Sequence, residues 1–469
     1  MAASSIPHKM LTATALSATF LFTFSQFLLI TAYPTIMTEF GVNATQVQWL
    51  TTAFLLATII FIPMSGYFMN TFSAKSLVLF SMCTLLVGTA VGAAAPNFGV
   101  LVVSRAIQAI GAGIMLPLVQ TILLSVFPYE KRGFAMGLLG AVINVAPASA
   151  PSLSGLVIDA VGWRALHGIM FVPAVVVFVL AVLFMKNVIE QQEARLDLLS
   201  TFLTVVGFAG FILGLSNVST FGFVHGWTLI PLLSGGAGIV LLVRRQLQLE
   251  IPVLKVQLMR VPLFRLAMVL VFINMMLLLS AESILPMFAQ DVLGTSAFLS
   301  GFLLVPGTIL LSIMTIVAGR LYDKYGGRPP ALAGFGLLFL SMVLFSTIGV
   351  DSSPYWIMLY FSVFMLGCGL TLMTLVTVSM NALPQKDITH GSAITNTFRQ
   401  FGMAFGVITL TTVISLSTAR EGVPYVEAAY EGTILVFWIM GACALGALLL
   451  SLRMNENPKP DSGEERTPE

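Results

Sequence analysis

The chain has 469 residues, of which 57% are hydrophobic and 9% charged, with a formal net charge of +2. An ordinary soluble domain carries about 25% charged residues. With a mean hydropathy of +0.97, this composition excludes a water-soluble globule, and its charge balance excludes nucleic acid as a partner.

The apolar residues come in runs of roughly 20, the length a helix needs to cross about 30 Å of hydrocarbon. Read against charged and Gly/Pro punctuation, they predict fourteen spans: 11–33, 48–69, 76–95, 99–124, 134–158, 166–186, 198–218, 227–243, 264–288, 297–319, 330–350, 354–380, 393–417 and 432–452. The fold class expected is an all-α polytopic membrane protein. The first span exceeds the apolar core of a signal peptide and lacks a small-residue cleavage site, so no cleavable leader is expected.

Charge orients these spans. With the N-terminus inside, Lys9, Lys75, Lys131, Arg132, Lys186, Arg195, Arg244, Arg245, Lys255, Arg260, Arg265, Arg320, Lys324, Arg328, Lys386, Arg453, Lys459 and Arg466 share the inner side. Only Arg164 and Arg420 fall outside, the asymmetry that the positive-inside rule requires. An even number of spans, both termini in the cytoplasm and a plasma-membrane location follow. The segment 454–469 is polar and Pro-rich and reads as a disordered cytoplasmic tail.

Taken in chain order, span 1 ends near Pro34 and carries Ser25-Gln26 at its middle. Span 2 runs into Gly66-Tyr-Phe-Met-Asn70-Thr-Phe-Ser-Ala-Lys75. Span 4 contains Arg105-Ala-Ile-Gln108-Ala-Ile-Gly111-Ala-Gly113. An arginine at membrane depth costs about 2.5–3.5 kcal/mol on insertion scales, so it must face protein or water, and Gln108 lies one turn away on the same side. Arg105 therefore reads either as a gate or coupling group or as a hydrogen-bond donor to neighbouring carbonyls. Span 5 places Asn144, Pro147, Pro151 and Gly155 among small residues. Small residues allow close helix contact and each proline removes an internal hydrogen bond, which suits a rocking interface or simple tight packing. Span 9 carries Glu282, the one acid at membrane depth, a turn before Pro286. A carboxyl there is a site for a proton, a cationic substrate or both in turn, or else a hydrogen-bonded structural group. The loop after span 10 reads Gly319-Arg-Leu-Tyr-Asp323-Lys324-Tyr-Gly326-Gly327-Arg328. Its glycines permit a tight turn, Asp323 can meet helix-end amides or a cation, and Lys324 and Arg328 suit an anionic leaflet. Arg399, near the inner end of span 13 in the Arg399-Gln400-Phe-Gly402 stretch, is less telling than Glu282, since snorkelling to the inner surface is enough to explain it.

Three features repeat at nearly one spacing. Pro34 pairs with Pro286, Gly66 with Gly319, and Gly111-Ala-Gly113 with Gly367-Cys-Gly369. Spans 1–6 and 9–14 therefore read as duplicates with spans 7 and 8 inserted, giving a bundle at 1–190, a linker pair at 191–262 and a second bundle at 263–453. Two parallel six-helix halves with substrate at their interface make a transporter architecture.

Cys83, Cys368 and Cys443 have no CxxC or Cys/His spacing and read as packing residues, so no metal is expected. His8, His167, His225 and His390 are scattered, and no nucleotide-binding loop is present, so neither an enzyme, nor a cofactor, nor direct ATP drive is expected.

The Gly319–Arg328 loop resembles the signature loop G-x-L-x-D-R/K-x-G-x-R/K of the major facilitator superfamily. Its first-half copy departs from the pattern, with Asn70 in place of the acid. The Arg105–Gly113 stretch resembles the family's helix-4 pattern, and Ala150-Pro151-Ser-Leu-Ser154-Gly155 the antiporter motif centred on G-P-x-x-G-G. With Trp49, Leu196-Asp197 and Arg399-Gln400-Phe-Gly402, the likeness extends over almost the whole chain and points to the fourteen-helix branch of drug:proton antiporters. It implies a monomeric secondary transporter that exports hydrophobic or cationic toxic compounds by proton antiport with alternating access. Many relatives carry an aspartate where Ser25 stands, and a hydroxyl cannot titrate near neutral pH. A proton-independent or metabolite-specific transporter and a non-transporting sensor therefore remain as alternatives.

Overall fold

The computed structural model describes residues 5–42, 44–47, 49–191, 197–249, 252, 254–418 and 422–454. Arg195, Leu196, Arg420 and the expected tail beyond 454 lie outside the described residues. Among those described, every regular element is a helix. Hydrocarbon offers no hydrogen-bond partner, so a crossing chain must satisfy its backbone internally, and the helix does so within one segment.

The first half comprises α1 (Ser5–Leu28, continued by a turn at Ile30–Ala32 and a helix Tyr33–Phe40), α2 (Trp49–Thr71), α3 (Ala74–Ala93), α4 (Phe98–Val126), α5 (Arg132–Val161) and α6 (Ala165–Phe184). Next come α7 (Leu198–Thr204 and Gly210–Phe221 about a π-turn) and α8 (Gly226–Gln248). The second half comprises α9 (Pro262–Asp291), α10 (Ala297–Phe302 and Val305–Tyr325), α11 (Arg328–Phe345), α12 (Tyr355–Asn381), α13 (Ile388–Thr418) and α14 (Tyr425–Ser451). Thirteen of these stretches are long and apolar enough to cross a membrane. The 30-residue α5 packs among them as the fourteenth. Side-chain caps start several of them: Ser73 accepts from the Ser76 amide, Asn97 from Val100 and Ser296 from Leu299.

Each half packs in the same way. In the first, α4 lies against α2 and α3; in the second, α12 lies against α10 and α11. The repeated glycines explain the match. A Cβ on Gly111 would stand 2.7 Å from the Ser81 carbonyl of α3, and one on Gly367 2.7 Å from the Gly334 carbonyl of α11. Their partners Gly113 and Gly369 face α2 and α10 in the same manner. The halves meet along two main seams, α2 on α13 and α5 on α10, with α4 also touching α13 and α12 touching α5. Exchanging α2 with α10, α4 with α12 and α5 with α13 turns one seam into the other, so the seams are related by a pseudo-twofold.

The inserted pair lies over the α2–α13 seam. Phe208 and Phe211 of α7 pack on Phe401 of α13, and Ile59 of α2 joins Leu203, Phe208 and Leu242 in a small apolar cluster. At its basic end the pair is fastened by Asp197, which receives Arg245 in a two-pronged contact at 2.5 and 2.8 Å and caps α7 by accepting from Ser200. The hydrogen bonds from Arg245, then those from Ser200, hold the Asp197 carboxyl well below the usual carboxylate range. A depressed native pKa means the contact is fully present above the unfolded value of about 3.9 and is lost as pH falls through the folded value. Hydrogen-exchange protection of 198–248, taken relative to the intrinsic rate at each pH, should therefore be flat from neutral pH down to mild acid. Asp197→Ala should cost more than Asp197→Asn, by about 1 kcal/mol, because asparagine keeps the cap and loses only the ion pair.

Two departures from the predicted spans occur where polar helix ends are buried. Helix α10 runs to Tyr325 instead of 319, and α13 begins at Ile388 instead of 393. Gly66, Asn70, Gly319, Asp323 and Lys324, expected in loops, thus sit in the closing turns of α2 and α10. Hydropathy reads those charged turns as loops, but contacts with the other half keep them helical. The turn is confined to Gly326, at φ +78°, and Gly327; Arg328 already opens α11.

Candidate functional site

Between the halves lies a cavity of about 320 Å³. Its polar lining comes from Gln26 of α1, Asn144 of α5, Glu282 of α9 and Asn396, Arg399 and Gln400 of α13, and its apolar lining includes Met275, Met403 and Leu311. Glu282 is half-buried and has no ion-pair partner among the described residues. A carboxyl at membrane depth that faces an open cavity is available to a proton or a cation.

Arg105 and Gln108 are not among the lining residues. Arg105 is buried, and its guanidinium donates to the carbonyls of Ser25 (2.9 Å) and Gln26 (3.0 Å) of α1 and of Leu50 (3.4 Å) of α2. It also donates to Gln108 Oε1 (2.8 Å) and lies 4.6 Å over the Phe54 ring. Gln108 passes the network on to Thr89 of α3. The reason for this arrangement lies in α1. Its first segment ends at Leu28, and the last four carbonyls of a helix lack intrahelical partners. Inside a membrane no water can replace them. A cation at a helix C-terminus is also favoured by the helix dipole. Arg105 acts as a cap for the break in α1 while joining α4 to α1 and α2. Ser25 belongs to this network, through its carbonyl and its hydroxyl, and is not a cavity group.

At the basic end of the bundle, polar contacts join the two halves. Asp323, in the last turn of α10, accepts from the backbone amides of Gly133 (2.8 Å) and Phe134 (2.9 Å) in the first turn of α5. These amides are among the unsatisfied donors at a helix N-terminus, so Asp323 caps α5 from the other half. Gly319 makes the approach possible: a Cβ there would lie 2.3 Å from the Gly133 carbonyl. Arg132 reaches Asn381 and Gln385 beyond it. At the pseudo-symmetric place Asn70, in the last turn of α2, meets the first turn of α13: its Nδ2 lies 3.0 Å from His390 Nε2, and its Oδ1 accepts from Thr389 at 3.0 Å. Further in, Thr121 donates to Ser392 and Asn396 to Gln120. Polar contacts at the opposite end, Trp163 and Arg164 with Glu39 and Tyr425 with Asp291, stay within one half.

The residues singled out in the sequence therefore fall into separate places. Glu282 and Asn144 share the cavity; Arg105 and Gln108 form the α1 cap; Gly319 with Asp323, and separately Asn70, make the two contacts between the halves at the basic end, with Gly66 buried nearby in α2. Lys324 stacks on Tyr325. Pro147, Pro151 and Gly155 lie on α5, and their side chains are outside the described residues. Arg399 corrects the sequence reading: it does not snorkel but is buried in α13 and lines the cavity. Gln120 and Asn396 were not singled out at all, and Gln400 entered only as part of the Arg399-Gln400-Phe-Gly402 stretch. The signal that was available is the polar run Thr395-Asn396-Thr397 beside Arg399-Gln400 in an otherwise apolar helix.

Residues 15–407 match the family described as Major Facilitator Superfamily. The chain is 40% identical over 446 residues to the uncharacterized MFS-type transporter YcnB of Bacillus subtilis, covering 95% of this chain and 94% of that protein. It is 33% identical over 403 residues to the lincomycin resistance protein LmrB of Listeria monocytogenes, covering 86% of each. The fold matches the proton:xylose symporter XylE with a TM-score of 0.68 at 14% identity, over 96% of both chains.

Proposed function

The chain belongs to the Major Facilitator Superfamily, and from that premise we propose that it is a proton-coupled exporter of hydrophobic or cationic toxic compounds. That it is a multi-pass membrane transporter of a small molecule follows from the family and its relatives. The observation that carries the finer reading is Glu282, an acid without an ion-pair partner among the described residues, facing a cavity lined by both halves. Protonation and cation binding compete for one carboxylate, and that competition couples the two fluxes. Resistance relatives such as LmrB support an exporter.

By the positive-inside rule the latched basic end faces the cytoplasm, both termini lie there and the membrane is the plasma membrane. The structure then corresponds to the state closed on the cytoplasmic side. Release of the Asp323 and Asn70 latches lets the two halves rock, so that the cavity alternates between sides, and one chain suffices for the cycle.

The test uses the purified chain in proteoliposomes with an imposed pH gradient, following a lipophilic cationic dye. Accumulation of dye against its own gradient, abolished by a protonophore, is expected. Dye flux indifferent to the gradient would instead favour a proton-independent transporter, the reading that Ser25 supports by occupying the place of a second acid.

A further inference from the structure

The two buried arginines of this bundle are treated differently. Arg105 has carbonyl partners on two helices. Arg399, only 9% exposed, makes a single long hydrogen bond among the described residues, from Nη1 to Asn396 Oδ1 at 3.5 Å, and its Nε is buried without a partner. A guanidinium carries five N–H donors in a fixed fork, and a buried charge left in this state calls for an acceptor from elsewhere. On α5, Asn144 also lines this cavity and has a buried Nδ2 without a partner among the described residues. Two under-satisfied donor groups, one of them cationic, thus converge on the cavity that holds the Glu282 carboxyl.

A simple lipophilic cation would satisfy Glu282 but leave Arg399 and Asn144 without an acceptor. We propose that the substrate is a zwitterionic amphiphile, with a basic amine at Glu282, a carboxylate received by Arg399 and Asn144, and an apolar body against Met275 and Met403. The Arg399 fork matches a carboxylate in two-pronged geometry, which an ester oxygen cannot reproduce. The methionines supply an adaptable apolar wall. This inference rests on the transport reading of the same cavity and narrows its substrate. It makes Arg399 the residue that selects for the acidic group.

The test is equilibrium binding to the full chain in lipid nanodiscs at neutral pH, comparing a zwitterionic quinolone with its carboxyl methyl ester. The two share ring and amine and differ only in the acid. Wild type should favour the free acid by about tenfold or more, the scale of a charge-assisted hydrogen-bonded pair. Arg399→Gln should bring the acid-to-ester ratio close to one, with Arg399→Lys intermediate. Equal binding of acid and ester by wild type, no binding of either, or a ratio that survives Arg399→Gln would each overturn the proposal. Gradient-driven flux of a permanent lipophilic cation keeps the two readings apart. Such flux without any preference for the acid sinks the zwitterion and spares transport, whereas loss of flux for every probe sinks the transport reading itself.

Discussion

Arg105→Ala should leave the chain inserted but unstable, losing about 3–5 kcal/mol and with it transport of every substrate. The estimate follows from what the guanidinium satisfies. Removing it strands the carbonyls of Ser25 and Gln26 at the end of the first α1 segment, each a buried acceptor costing about 1–3 kcal/mol unpaired. It also removes one of the donors to Gln108 Oε1 and opens the space above Phe54. Arg105→Lys keeps the charge but not the fork, so it should recover only part of the loss. Thermal unfolding in detergent measures the effect directly. The discriminating readout is its breadth: a residue needed only for coupling would spare the melting temperature and gradient-free exchange, whereas Arg105→Ala should lower both.

Asp323→Asn should have the second-largest effect, and of another kind. The carboxylate accepts two amide hydrogen bonds at the N-terminus of α5, where the helix dipole favours negative charge. Asparagine keeps one acceptor and turns a donor toward the other amide. Losing about 2–4 kcal/mol from one end of a two-state bundle shifts the balance toward the state open at the basic end by roughly 30- to 1,000-fold. Spin labels placed on the ends of α5 and α10 should report the separation as a new long-distance population. Asn70→Ala, which removes only neutral contacts to His390 and Thr389, should shift the same populations by about fivefold, for a loss near 1 kcal/mol. The two latches occupy equivalent places, so the ratio of these shifts measures what the charge of Asp323 adds.

The architecture was legible because a membrane enforces a simple code. Apolar runs marked the helices, and the spacing of Gly111 to Gly367 marked the equivalent places that α4 and α12 take in the two halves. The polar ends of α10 and α13 were not legible. Asp323 and Thr389 lie in turns whose hydropathy signals a loop, and their helicity depends on partners some 190 and 320 residues away. The same reason hid Arg399. One basic residue in an amphipathic stretch is read as snorkelling, and only packing shows that its side chain turns inward. Glu282 was legible because an acid in an apolar run has no ordinary explanation. The role of Arg105 lay between these cases: its depth was clear, but the break in α1 that it caps is invisible without the fold.

The central claim is that a single cavity-facing carboxyl carries both proton and cation, and Glu282→Gln tests it most directly. In proteoliposomes with an imposed pH gradient, the variant is expected to lose accumulation of a lipophilic cationic dye while remaining folded and closed at the basic end, because its latches lie elsewhere. Undiminished gradient-driven accumulation by Glu282→Gln would contradict the account.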